Sequence, residues 1–285
     1  MKFKYFSIAL LFIILPYLIG CGSGSYNIEK GDYKDTTKYN STGAKLKNFY
    51  KIQTPPKFTL QFSGGLNLGM AELSSNFQDN FDSLQFSHGL NFGVKNGYGF
   101  MLIGKIPLHK KGNVRLNVSA GFDRFQSDFL ASKSKFGDVS YNVISFGAGI
   151  ENSFNPTFRL KPYVAIEITG NMISGKANMI NQTTNSTRTV TITNSFRIGY
   201  KIYGGLEYMF NNKVGVNFGI KLTNSNQLLK QTKTSSDPNE VPLRDKKDDT
   251  ALIEFGGFKN FIFTSFYLGM NFYFGVKDIV YQFNK

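Results

Sequence analysis

From Phe58 onward the chain is apolar at every second position wherever it is apolar at all, the period of a strand whose two faces meet different surroundings. Phe58, Leu60, Phe62, Leu66, Leu68 and Met70 share one face, and Thr59, Gln61, Ser63, Gly65, Asn67 and Gly69 share the other. Residues 84–106 repeat the pattern, with Leu84, Phe86, Leu90, Phe92, Val94, Tyr98, Phe100, Leu102 and Ile106 opposite Gln85, Asn91, Lys95 and Lys105. In 114–123, Val114, Leu116, Val118, Ala120 and Phe122 alternate with Arg115, Asn117, Ser119, Gly121 and Asp123. Residues 162–173, 190–210, 214–223 and 261–276 alternate likewise; in 190–210 the apolar face runs from Ile192 through Phe196, Ile198 and Ile202 to Tyr208. Residues 139–151 shift phase near Val143-Ile144, which predicts a bulge there. The order Φ-Asn-Φ-Gly-Φ recurs at Leu66–Met70, Leu90–Val94 and Val216–Ile220.

Eight such segments without an amphipathic helix between them predict an all-β chain, either a sandwich or a barrel. Short links at 107–113, 152–161 and 211–213 alternate with longer polar ones at 71–83, 126–138, 175–189 and 224–254. That rhythm predicts an up-and-down antiparallel transmembrane β-barrel of eight strands, its short turns periplasmic and its long loops outside. The sequence Lys95-Asn96-Gly97 is a hairpin signal that would split 84–106 and give ten strands. One long strand is preferred, because a split would move the long loops to the periplasm. The apolar face then meets lipid and the polar face fills the lumen.

Before this region, Lys2 and Lys4 precede an apolar run from Tyr5 to Leu15, which reads as a secretory signal over residues 1–20. Leu18-Ile19-Gly20-Cys21 resembles a bacterial lipobox, so acylation is expected at Cys21, the only cysteine. Gly22 at the next position implies sorting to the outer membrane. Residues 21–57 lack apolar periodicity and end at Pro55-Pro56, which predicts a flexible periplasmic tether. The barrel is expected over 58–276 and a C-terminal tail over 277–285.

Composition agrees with closely packed strands: 29 Gly, 29 Phe and 15 Tyr among 285 residues. The formal charge of +14 is spread singly along strands and turns, a distribution that speaks against nucleic acid and for contact with anionic outer-membrane lipids. In its pattern, 58–276 resembles the small outer-membrane β-barrel domain family, the porin-like group with OmpA-type and OmpX-type barrels. The resemblance implies residence in the bacterial outer membrane and a partnership with the barrel-insertion machinery, which reads an aromatic residue at the end of the last strand. Here the chain continues past Phe274 to Phe283.

Little in the sequence carries catalysis. His109 sits in a Lys-Lys-Gly turn, and His88 cannot pair with Ser87 because adjacent strand residues point to opposite faces. Gly147-Ala148-Gly149 lacks the helix a nucleotide fingerprint needs, and no cluster has metal-ligand spacing, so neither cofactor nor metal is expected. The inner face does collect Arg115, Asp123, Glu167, Arg197, Lys201, Glu207 and Lys221. These predict a salt-bridged lumen network rather than an ion path, since eight strands enclose little more than their own side chains. The expected function is that of a non-enzymatic barrel, structural or binding an extracellular ligand through its 181–187 and 224–254 loops. The alternative is a narrow porin or a conduit for a hydrophobic small molecule; a barrel lipid hydrolase or acyltransferase ranks last.

Overall fold

The computed structural model describes residues 49–74, 92–131, 134–181, 183–184, 186–231, 237, 239–243, 245–246 and 259–282. Cys21 and His88 lie outside the described residues. Along the chain the strands are β1 (Phe49–Gln53), β2 (Phe58–Met70), β3 (Asn96–Pro107), β4 (Val114–Ala131), β5 (Ser134–Ser153), β6 (Leu160–Asn181), β7 (Ser186–Met209), β8 (Val214–Leu228), β9 (Glu240–Val241), β10 (Ile262–Phe274) and β11 (Asp278–Gln282). A 3-10 turn, Ala71–Leu73, follows β2.

Eight of these strands close on themselves. β2 pairs antiparallel with β3 on one side and with β10 on the other, and β6 pairs with β7, so the sheet has no first or last strand. Partners followed round the sheet run Thr59, Lys105, Asn117, Gly149, Glu167, Lys201, Thr223, Phe263 and back to Gly69, ten residues above the start. This stagger is the shear that tilts the strands of a closed barrel. β9 adds two residues parallel to β7 at Thr191 and Ile192.

The exposure pattern is inverted relative to a water-soluble protein. Phe62, Leu66, Phe100, Phe146, Ile168, Phe218 and Leu268 are exposed, whereas Gln61, Asn67, Lys105, Asn117, Glu151, Glu207 and Asn271 are buried. A lipid surround removes the penalty for an apolar exterior, and a closed sheet satisfies every strand's backbone without water. Among the described residues no helix is long and apolar enough to cross a membrane, and the outward apolar face is carried by the strands of the closed sheet.

Several elements depart from the sequence reading. Within the described part of the strand expected over 84–106, residues 92–95 are not strand and β3 starts at Asn96. Gly93, at φ +69°, turns the chain, and Phe92 and Val94 point into the barrel mouth, fully buried, instead of out to lipid. Backbone N–H groups of Phe92 and Val94 donate to the carbonyls of Glu72 and Leu73 at 3.1 Å each. No bulge exists at Val143-Ile144, where pairing with both neighbours is continuous. The apparent phase shift arises because Val139, Tyr141 and Val143 face an apolar interior. The true irregularities lie between Phe129 and Leu130, between Ile173 and Gly175, and between Ile198 and Tyr200.

The second of these re-aims β7, so that Val190 and Ile192 turn inward while Phe196 faces lipid, against the expected outward run. The loops expected at 126–138 and 175–189 are largely strand. β4 to β7 have 18, 20, 22 and 24 residues against 13 for β2, and they rise as a wall on one side of the mouth. Polar Ser/Thr-rich sequence can extend a strand when its neighbour extends too, because the ladder and not burial satisfies the backbone.

At the other end, the described part of the segment read as a tether is held in place: β1 pairs along its whole length with β11. Thr54 N–H donates to the Lys277 carbonyl at 2.8 Å, Lys277 N–H to Thr54 Oγ1 at 2.8 Å, and Gln53 Nε2 to Asn212 Oδ1 at 2.7 Å. The last barrel strand ends on the aromatic Phe274, and Gly275, at φ +77°, turns the chain into β11.

Candidate functional site

The lumen is filled in layers, each set by the parity of the strands that supply it. Nearest the short turns lies a charge cluster within three positions of the strand ends. Glu151 receives Lys105 Nζ at 2.8 Å and Arg115 Nη2 at 2.7 Å. Glu207 faces Arg115 Nη1 at 3.5 Å, Lys161 Nζ at 3.7 Å and Lys105 Nζ at 3.8 Å. All five side chains are buried, so each carboxylate is desolvated and compensated by several cations at once. The Lys105 ammonium also lies 4.5 Å from the ring centre of Tyr163, and that of Lys161 5.0 Å from Tyr273.

Above this cluster the polar groups are joined through hydroxyls. Glu167 accepts from Ser119 Oγ at 2.7 Å and from Tyr203 OH at 2.6 Å, and Tyr203 OH accepts from Asn117 Nδ2 at 2.7 Å. Lys201, the cross-strand partner of Glu167, donates to Ser145 Oγ at 2.9 Å. Higher still, Asp123 accepts from Asn67 Nδ2 at 2.8 Å, with Lys221 Nζ 3.7 Å away, and Asn67 Oδ1 accepts from Ser265 Oγ at 2.6 Å.

The mouth is filled differently. Leu73, Phe92, Val94, Phe125, Tyr141 and Phe261 belong to one buried apolar cluster. Phe261 is its hub, with ring centres 5.2 Å from Phe92, 5.4 Å from Phe125 and 5.5 Å from Tyr141, in tilted or edge-on contacts.

The long connection between β8 and β10 is fastened over this cluster by Asp245. Its carboxylate accepts a bidentate pair from Arg197, Nε and Nη2 at 2.9 Å each, and further bonds from Asn226 Nδ2 at 2.9 Å and the Gln231 backbone N–H at 3.0 Å. Arg197 Nη2 also donates to the Leu243 carbonyl at 3.0 Å, and the Phe261 N–H donates to Asn226 Oδ1 at 2.6 Å.

All seven charged residues singled out from the sequence, Arg115, Asp123, Glu167, Arg197, Lys201, Glu207 and Lys221, are buried inside the barrel. They do not form one network. Arg115 meets Glu207 and Lys221 meets Asp123, Glu167 and Lys201 bond to hydroxyls, and Arg197 pairs with a loop residue. The reading missed Glu151, the last residue of the 139–151 segment, where the expected phase shift obscured the odd-position rule, and Lys161, one residue before the 162–173 segment. It placed Lys105 on the polar face without joining it to the cluster. Nothing in the sequence marked Asp245 as an interior residue.

His109 is exposed in its turn, where its Nδ1 accepts from the Lys111 N–H at 3.2 Å. Among the described residues no group of three or more His, Cys, Asp or Glu is placed to hold a metal ion.

A closed antiparallel barrel with lipid-facing apolar side chains and a charged, packed lumen defines a transmembrane barrel of the outer-membrane kind. Residues 53–274 match the outer membrane protein beta-barrel domain family, and the chain belongs to that family and resides in the bacterial outer membrane. Among solved structures it is similar to Neisserial surface protein A, at 14% identity over 76% of this chain and 97% of that one, with a TM-score of 0.41. It is also similar to the N-terminal beta-barrel domain of Pseudomonas aeruginosa OprF (11% identity, 76% and 99% coverage, TM-score 0.31). The attachment invasion locus protein Ail of Yersinia pestis shares 11% identity over 76% of this chain and 98% of that one, with a TM-score of 0.36. No curated protein matches this chain.

Proposed function

We propose that the protein is a non-enzymatic, non-conducting outer-membrane barrel that presents the wall of β4 to β7 as a contact surface for an extracellular ligand. The observation that carries this reading is the double filling of the lumen, by the Glu151 and Glu207 ion pairs below and by the Phe261 cluster under the Asp245 latch above. Both carboxylates are buried and held by cations inside the packed lumen, which leaves no open space beside them for a substrate. The rim of the wall, with Thr187, Arg188 and Thr189 exposed, offers polar groups on a rigid scaffold, the setting in which surface recognition usually resides.

A conduit for hydrophobic molecules draws support from the aromatic lining of the mouth, yet those rings contact one another and leave their faces occupied. Single-channel recording of the purified protein in planar bilayers tests the proposal: quiet traces are expected, and large stable steps would sink it. We further propose that Cys21 is acylated. Equal incorporation of a palmitate analogue by wild type and Cys21→Ala would exclude this.

A further inference from the structure

Charge is distributed unequally between the two ends of the barrel's outer surface. At the loop end the exposed charged residues among those described balance, with Lys176, Arg188 and Lys246 against Asp128, Asp237 and Glu240. At the turn end, again among the described residues, Lys57, Lys110, Lys111, Arg159, Lys213 and Lys277 are exposed against Asp278.

These six cations follow the barrel's connectivity. Four strand junctions meet the turn end, β3 to β4, β5 to β6, β7 to β8, and β10 beside β2, and each carries at least one of them. Each junction also sets an exposed apolar or aromatic side chain beside its cation: Leu108 with Lys110 and Lys111, Phe158 with Arg159, Phe210 with Lys213, and Phe274 with Lys57 and Lys277.

An aromatic or aliphatic anchor paired with a long cationic side chain is the arrangement that suits the boundary between acyl chains and headgroups. The anchor sits in the acyl region while the ammonium or guanidinium reaches the phosphate. Repetition at all four junctions turns four separate turns into a closed girdle. The geometry points to this girdle as a binding surface for anionic phospholipid headgroups of the leaflet that surrounds the turn end. It holds a shell of such lipids round the barrel, independently of whether the lumen conducts.

The test uses full-length protein reconstituted into phosphatidylcholine vesicles doped with spin-labelled phosphatidylglycerol or spin-labelled phosphatidylcholine, with the motionally restricted fraction read by electron spin resonance. At low salt, wild type is expected to restrict the anionic label about threefold more strongly than the neutral one, a preference that fades towards one in about 1 M salt. The variant with Lys57, Lys110, Lys111, Arg159, Lys213 and Lys277 all changed to Gln should restrict both labels equally, while Lys176→Gln/Arg188→Gln/Lys246→Gln keeps the preference. Heat-modifiable migration on gels shows that each variant is a folded barrel. Equal restriction of both labels by wild type overturns the proposal, as does a preference that survives in the turn-end variant or disappears in the loop-end one.

Discussion

The two halves of the lumen solve one packing problem with opposite chemistry. In the turn-end half, the filling among the described residues comes from the strands, where the charges of Lys105, Arg115, Glu151, Lys161 and Glu207 meet. In the loop-end half, Leu73, Phe92, Leu243 and Phe261 come from connections that fold back over the mouth, and the filling is aromatic. The difference shows what each half can exclude. A loop that closes over the mouth must bury apolar surface to be held there, since that burial offsets the entropy of ordering it. The turn end has only short links, so its interior must be satisfied by side chains that strand geometry already aims inward.

The comparison breaks first at Glu151. Glu151→Gln leaves Lys105 and Arg115 buried without their nearest carboxylate and is expected to cost about 3–5 kcal/mol. Denaturant unfolding of the reconstituted barrel measures it, and a loss below about 1 kcal/mol would mean that water, not Glu151, solvates the pair.

Phe261→Ala removes the hub of the aromatic half and should cost about 3 kcal/mol, the lower end for a buried Phe, because the mouth can partly collapse onto the gap. The same unfolding series reads this. Faster hydrogen exchange is expected at 92–95 and 243–246, with β2 and β3 below unchanged.

Asp245→Asn keeps shape but removes the charge facing Arg197, a loss of about 2 kcal/mol in a charge-assisted pair. Limited proteolysis should then cut between β8 and β10 while heat-modifiable migration persists. Uncut protein would show that the apolar cluster alone holds the connection.

The smallest effect is expected where the halves meet. Lys221 lies 3.7 Å from Asp123 and 5.7 Å from the Phe263 ring centre, and Asp123 keeps its bond from Asn67. Lys221→Met should therefore cost about 1–2 kcal/mol, less than Glu151→Gln, since the Asp123 carboxylate left buried keeps its bond from Asn67 and the Met side chain gains contact with the ring. A loss as large as that of Glu151→Gln would erase the distinction between the boundary and the charged cluster.

How far each half could be read beforehand follows the same division. From the turn end up to the boundary between the halves, odd positions point inward from β2 to β10, so Arg115, Asp123, Glu167, Lys201 and Glu207 could be aimed into the lumen by counting alone. In the loop-end half, counting misled. Val139, Tyr141 and Val143 looked like a slipped phase because the rule assumes a polar interior, and Ile192 looked lipid-facing because the β7 irregularity has no residue signature. The strand ends near 131 and 181 were hidden for a related reason. A polar hairpin standing above the membrane has no lipid face to impose alternation, so its sequence resembles a loop.

The sequence by itself determined the antiparallel barrel class, the lipid-facing side of the strands in their turn-end halves, and the arrival of charge in the lower lumen. All three follow from the two-residue repeat of a strand between an apolar solvent and a narrow interior. Only the tertiary structure decided that Asp245 would reach Arg197, that Phe92 would turn into the mouth, and that β1 would pair with β11. Those contacts join residues far apart in the chain through backbone turns and loop closures. Their energies depend on what lies opposite in space, and no local pattern of polarity records that.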